Sequence, residues 1–66
     1  MNIFVNSQPQ SVTSDITVTM LLGSLNLTEK RVAVEVNAAL VTRNKWAQHR
    51  LCEGDKVEIV TFVGGG

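Results

Sequence analysis

Apolar and polar positions along this chain fall into short blocks, each with its own period. Met1 to Val5 is apolar with β-branched Ile3 and Val5, and Asn6, Ser7 and Pro9 follow. That predicts a brief strand running into a turn. Gln10 to Ser14, carrying Val12 and Thr13, reads as the return strand of a hairpin. Thr17 is placed to cap a helix, because Val18, Leu21, Leu22 and Leu25 then follow the i, i+3, i+4, i+7 spacing of a single apolar stripe. Gly23 inside that helix costs up to about 1 kcal/mol relative to alanine, so the helix depends on packing. Asn26 takes the left-handed conformation that ends it.

The period then changes to two. Val32, Val34 and Val36 alternate with Ala33 and Glu35 and stop at Asn37, a half-buried strand. Leu40 and Val41 suggest another short one. Arg43 to Gln48 has no sustained period and reads as a turn, or one helical turn, pinned by Trp46, whose large apolar area belongs in the core of so small a protein. Glu53-Gly54-Asp55 marks a tight turn. Lys56 to Val63 is the strongest strand, with Val57, Ile59, Thr61 and Val63 on one face and Glu58, Val60 and Phe62 on the other. One helix against one mixed sheet is an α+β layout. The domain is expected to span residues 1–63, with 64–66 as a glycine tail.

Composition narrows what such a domain does. With 66 residues, 44% hydrophobic and 18% charged, the chain is globular. It buries only about 60% of its unfolded surface, which leaves little room for a catalytic cleft, so it is not expected to be an enzyme. Six basic and six acidic residues cancel, and aromatics are 5%. Both facts oppose nucleic-acid binding. A single cysteine forbids an internal disulfide and favours a reducing compartment. The N-terminal residues lack a signal-peptide pattern and no apolar run approaches the roughly 20 residues of a membrane span, so a soluble cytoplasmic protein is expected.

Most candidate chemistry dissolves on inspection. His49 and Cys52 are the only imidazole and thiol, too few for a tetrahedral metal site, so no metal is expected. Cys52 reads as a small, partly buried hydrophobe beside a turn. His49 reads as a surface or half-buried residue. Arg43, Lys45 and Arg50 read as a solvated basic face. The glycines at the end are different. Gly64, Gly65 and Gly66 follow the most regular strand, and a segment without side chains enters a slot too narrow for any other residue. If Ile3 and Val5 face the core, Phe4 faces out. Should the first and last strands be neighbours, Phe4, Val60 and Phe62 would form an apolar docking patch near the root of that tail.

In these segments the chain resembles the sulfur carriers of thiamine biosynthesis, the ThiS family of the ubiquitin-like β-grasp group. The resemblance is carried by Asn2-Ile3-Phe4-Val5-Asn6, the helix around Leu21-Leu22, and Val32-Ala33-Val34-Glu35-Val36-Asn37. Val41 through Trp46 with Arg43, the Gly54-Asp55 turn, and Glu58-Ile59-Val60 through Gly64-Gly65-Gly66 complete it. Two departures stand out. Ser7 replaces a glycine common in the first turn, leaving Asn6 to supply any left-handed conformation, and the helix lacks the acidic residues common in the family.

The resemblance implies one helix on a mixed four- to five-stranded sheet, with the first and last strands parallel at its centre. It implies a carrier acted on by other proteins rather than a catalyst. Gly66 would be adenylated by a ubiquitin-activating-type enzyme using ATP, converted to a thiocarboxylate by a sulfur donor such as a cysteine desulfurase, and presented to thiazole synthase. Gly64 and Gly65 would thread into the partner; the carrier itself would hold no cofactor. Thr61-Phe62-Val63 before the glycines favours this branch over the carrier of molybdopterin synthesis, whose approach usually contains proline. A non-covalent β-grasp adaptor is the alternative from a different class.

Overall fold

The computed structural model describes residues 1–28 and 31–62. Its elements are β1 (Asn2–Val5), β2 (Gln8–Ser11), α1 (Val18–Ser24), β3 (Val32–Val36), β4 (Ala39–Val41), a 3-10 turn (Arg43–Lys45) and β5 (Lys56–Thr61). The strands form one sheet in the order β2-β1-β5-β3-β4. β1 and β5 run parallel, while the β1–β2, β3–β4 and β3–β5 pairs are antiparallel. This is the expected α+β layout, with five strands among the described residues and the last of them at the centre.

Both hairpins close through two-residue turns with both residues left-handed: Asn6 (φ 50°) and Ser7 (φ 69°), then Asn37 (φ 52°) and Ala38 (φ 71°). These are type I′ geometries, whose twist matches that of the strands they join. The first turn corrects two expectations. Asn6 does not supply the left-handed conformation alone, since Ser7 shares it. The tight turn also starts β2 at Gln8 rather than Gln10, so Pro9 lies within the strand, opposite Phe4. Proline is tolerated there because β2 is an edge strand with one side unpaired.

The helix forms where the apolar stripe placed it. Thr17 Oγ1 accepts from the Met20 backbone N–H at 3.2 Å, an N-cap bond. At the other end Asn26 is left-handed (φ 60°), Leu27 N–H donates to Leu22 O at 2.8 Å, and Asn26 N–H donates to Gly23 O at 3.1 Å. That pair of bonds is a Schellman closure. Val18, Leu21 and Leu22 are buried against Ile3, Val5, Val34, Val36, Val57 and Ile59 from the sheet, with Ile16, Val41, Trp46 and Leu51 closing the sides. Trp46 is core, as expected: its indole N–H donates to Val41 O at 2.9 Å, which satisfies its one polar atom. Arg43 lies over the indole ring, 5.3 Å from its centroid.

Some boundaries shift by a residue or two. β1 begins at Asn2, β4 includes Ala39, and β5 ends at Thr61. Val63, expected in the last strand, lies outside the described residues. Cys52 is exposed rather than partly buried; it sits before the Glu53-Gly54 turn, where Gly54 takes φ 82°. His49 is half-buried, and Arg43, Lys45 and Arg50 are exposed.

Candidate functional site

Of the candidate site residues, Val60 lies on β5, Phe62 just past its end and Phe4 on β1, and the two neighbours of β5 determine how it is held. Phe4 N–H donates to Asp55 O at 2.9 Å and Asn6 N–H to Val57 O at 2.8 Å, the slanted bonds of a parallel pair. β1 then turns away, but Asn6, the turn residue that follows it, continues the pairing with its side chain. Asn6 Oδ1 accepts from Ile59 N–H at 2.7 Å and Asn6 Nδ2 donates to Ile59 O at 3.2 Å. The side-chain amide thus supplies the acceptor and donor that a longer β1 backbone would have offered.

A second asparagine works at the start of the strand. Asn37 N–H donates to Lys56 O at 2.8 Å and Asn37 Oδ1 accepts from Lys56 N–H at 3.0 Å. Its Nδ2 reaches Asp55 Oδ1 at 3.0 Å, while Asp55 Oδ2 accepts from Cys52 N–H at 2.8 Å. These two bracketing asparagines are missing from the sequence reading, where Asn37 served only to end a strand. The available signal was the pair of Asn-X dipeptides, Asn6-Ser7 and Asn37-Ala38, each between two strand patterns.

The docking residues come out exposed but divided. Phe4 is 39% exposed, Val60 57% and Phe62 55%. Register separates the first from the others: Phe4 pairs with Lys56, four positions before Val60 and so about 13 Å away along the strand. Phe4 instead lines a shallow depression with Ser7, Lys56 and Glu58. Val60 lies beside Ala33, and Phe62 borders a second depression with Arg31, Val32 and Arg43. The single patch expected from Phe4, Val60 and Phe62 is therefore two surfaces, because β1 pairs with the beginning of β5 and not with its end. Gly64, Gly65 and Gly66 lie outside the described residues.

Other chemistry is sparse. Among the described residues no three His, Cys, Asp or Glu side chains are grouped to hold a metal ion, and no helix is long and apolar enough to cross a membrane. No buried side-chain nitrogen or oxygen among them is left without a partner.

One helix laid on a mixed five-stranded sheet, with the first and last strands parallel neighbours, defines a ubiquitin-like β-grasp domain. A model of the ThiS family matches residues 3–66. The chain belongs to the ThiS family. The sulfur carrier protein ThiS of Escherichia coli is 32% identical over 66 residues, with both chains covered in full. The crystal structure of the thiamine biosynthesis protein ThiS from Geobacter metallireducens superposes with a TM-score of 0.85 at 35% identity, again covering 100% of both chains. The chain is also 39% identical over 66 residues to a thiazole synthase of Paramagnetospirillum magneticum, of which it spans 20%. It spans the same share of a thiazole synthase of Magnetococcus marinus.

Proposed function

We propose that this chain is the sulfur carrier for the thiazole moiety of thiamine, with the carboxylate of Gly66 as the group that is charged. The observation that carries the reading is the path of β5: the central strand leaves the core with Val60 and Phe62 exposed, four residues or fewer before Gly64-Gly65-Gly66 in sequence. Family membership and the relatives named as sulfur carriers support it. The thiazole synthases that contain a segment like this chain support thiazole synthase as the acceptor.

The chemistry follows from the carboxylate. With a pKa near 3.5 it is an anion at neutral pH and a poor electrophile. An adenylating partner of the ubiquitin-activating type therefore joins it to AMP from ATP, releasing pyrophosphate. The persulfide sulfur of a donor such as a cysteine desulfurase then attacks the acyl carbon and displaces AMP. A second thiol cleaves the S–S bond of the resulting acyl persulfide, leaving a disulfide and a thiocarboxylate for thiazole synthase to consume. The carrier contributes recognition and reach, Gly64 and Gly65 pass through the narrow part of the partner's site, and catalysis belongs to the partners. Val60 and Phe62 serve the docking surface nearest the tail, with Phe4 contributing from a separate one.

Intact-mass measurement after incubation with a purified adenylating enzyme, ATP and a sulfide source tests the reading. The expected result is a gain equal to one oxygen exchanged for one sulfur at the terminal glycine. An unchanged mass would instead support a non-covalent adaptor, which would keep its effect on the partner after amidation of the terminal carboxylate, whereas a carrier would lose all activity.

A further inference from the structure

Peptide groups along β5 point alternately to its two neighbours. Lys56 and Phe62 bond toward the β3 side, through Asn37 N–H to Lys56 O and Phe62 N–H to Arg31 O. Val57 and Ile59 bond toward the β1 side, the first to the Asn6 backbone and the second to the Asn6 side chain. Thr61 is the next in that series. It pairs in register with Val32 of β3, yet its N–H and C=O face the β1 side, where β1 ended at Val5. No described residue meets them. The centre of the sheet thus becomes an open edge for its last residue, with exposed Val60 and Phe62 on either side of the gap.

We propose that this edge at Thr61 receives an extended main-chain segment of the adenylating partner, which adds there as a further strand. The proposal rests on the carrier reading for the identity of the partner. A backbone segment suits the gap because Thr61 offers one donor and one acceptor at strand spacing, which an extended chain matches with its own. Asn6 fixes where the added strand begins, since its amide already fills the Ile59 position. A second copy of this chain is a poor occupant: its β2 edge carries Pro9, which lacks a donor, and its β4 edge is three residues long.

Amide hydrogen exchange on the 15N-labelled chain, alone and with a purified adenylating enzyme and ATP, tests this. In the free chain the Thr61 amide is expected to exchange fast while Val60 and Phe62 are protected. In the complex Thr61 slows by roughly tenfold, the worth of one net hydrogen bond. A Thr61 amide already protected in the free chain overturns the proposal, as does one whose protection grows with the free chain's own concentration. Charging that proceeds with Thr61 unchanged also overturns it, while leaving the carrier reading intact. Failure to charge at all sinks the carrier reading and the named partner with it. Thr61→Pro removes the N–H without breaking a bond inside the sheet. It is expected to raise the KM for the carrier roughly 2- to 12-fold with kcat unchanged; an unchanged KM counts against the slot.

Discussion

The two ends of β5 are built on opposite plans. At the start, Lys56 is held through both its N–H and its C=O by Asn37, Asp55 ties back to Cys52 and to Phe4, and Val57 is fully buried. At the finish, Phe62 is bonded from the β3 side alone, Thr61 lies opposite Val32 with its N–H and C=O turned toward the β1 side, and Val60 and Phe62 give more than half their surface to solvent. One strand is therefore bonded from both sides where it starts and open to solvent where it ends. The contrast teaches where to expect each kind of mutational effect.

Removing Gly66 draws that contrast most sharply, and its effect is the largest. Charging should be abolished, read by intact mass, while the melting temperature stays within about 2 °C, since a terminal residue without a side chain adds nothing to the core. At the other end, Val57→Ala empties part of a fully buried site and should cost about 1.5–3 kcal/mol. For a domain this small that lowers Tm by roughly 6–24 °C. The folded fraction of that variant should still charge with an unaltered KM. Phe62→Asp inverts the pattern: its site is exposed, so stability should move by less than about 0.5 kcal/mol. Adenylation should weaken at least fivefold as an apolar contact becomes a desolvated charge. A large fall in Tm for Phe62→Asp would mean the end of β5 is structural after all.

Legibility in the sequence follows the same division. Elements whose signal is their own periodicity were readable: the Val18–Leu25 stripe and the Val32–Val36 alternation fold as their spacing demands. So was Trp46, because an indole of that size has nowhere else to go in 66 residues. What the pattern could not supply was pairing register. Alternation showed that Phe4 and Val60 both point outward, but only the bond from Phe4 N–H to Asp55 O separates them along the sheet. The asparagine brackets are illegible in the sequence for a related reason: Asn6 and Asn37 look like turn formers locally, and their side-chain partners lie 53 and 19 residues away.

The smallest expected effect comes from the turn beside Asn37, and its sign is set by two opposing magnitudes. Ala38 sits at φ 71°, a left-handed position that costs an L-residue with a Cβ roughly 1–2 kcal/mol. Glycine would relieve that strain but loses about 0.4–1 kcal/mol more than alanine through the freedom of the unfolded chain. The difference favours Ala38→Gly by about half a kcal/mol, or some 2–4 °C in Tm. Ser7→Gly, at φ 69° in the matching turn, should gain a similar amount. The two substitutions then separate in their consequences. Asn37 pins a strand start already secured by Asp55, so Ala38→Gly should leave charging untouched. Asn6 alone holds the β1 side of Ile59, so a freer turn at residue 7 should loosen the approach to Thr61. Hydrogen exchange at Ile59 reads this directly, and equal protection in both variants would show that the two asparagines hold β5 with equal authority.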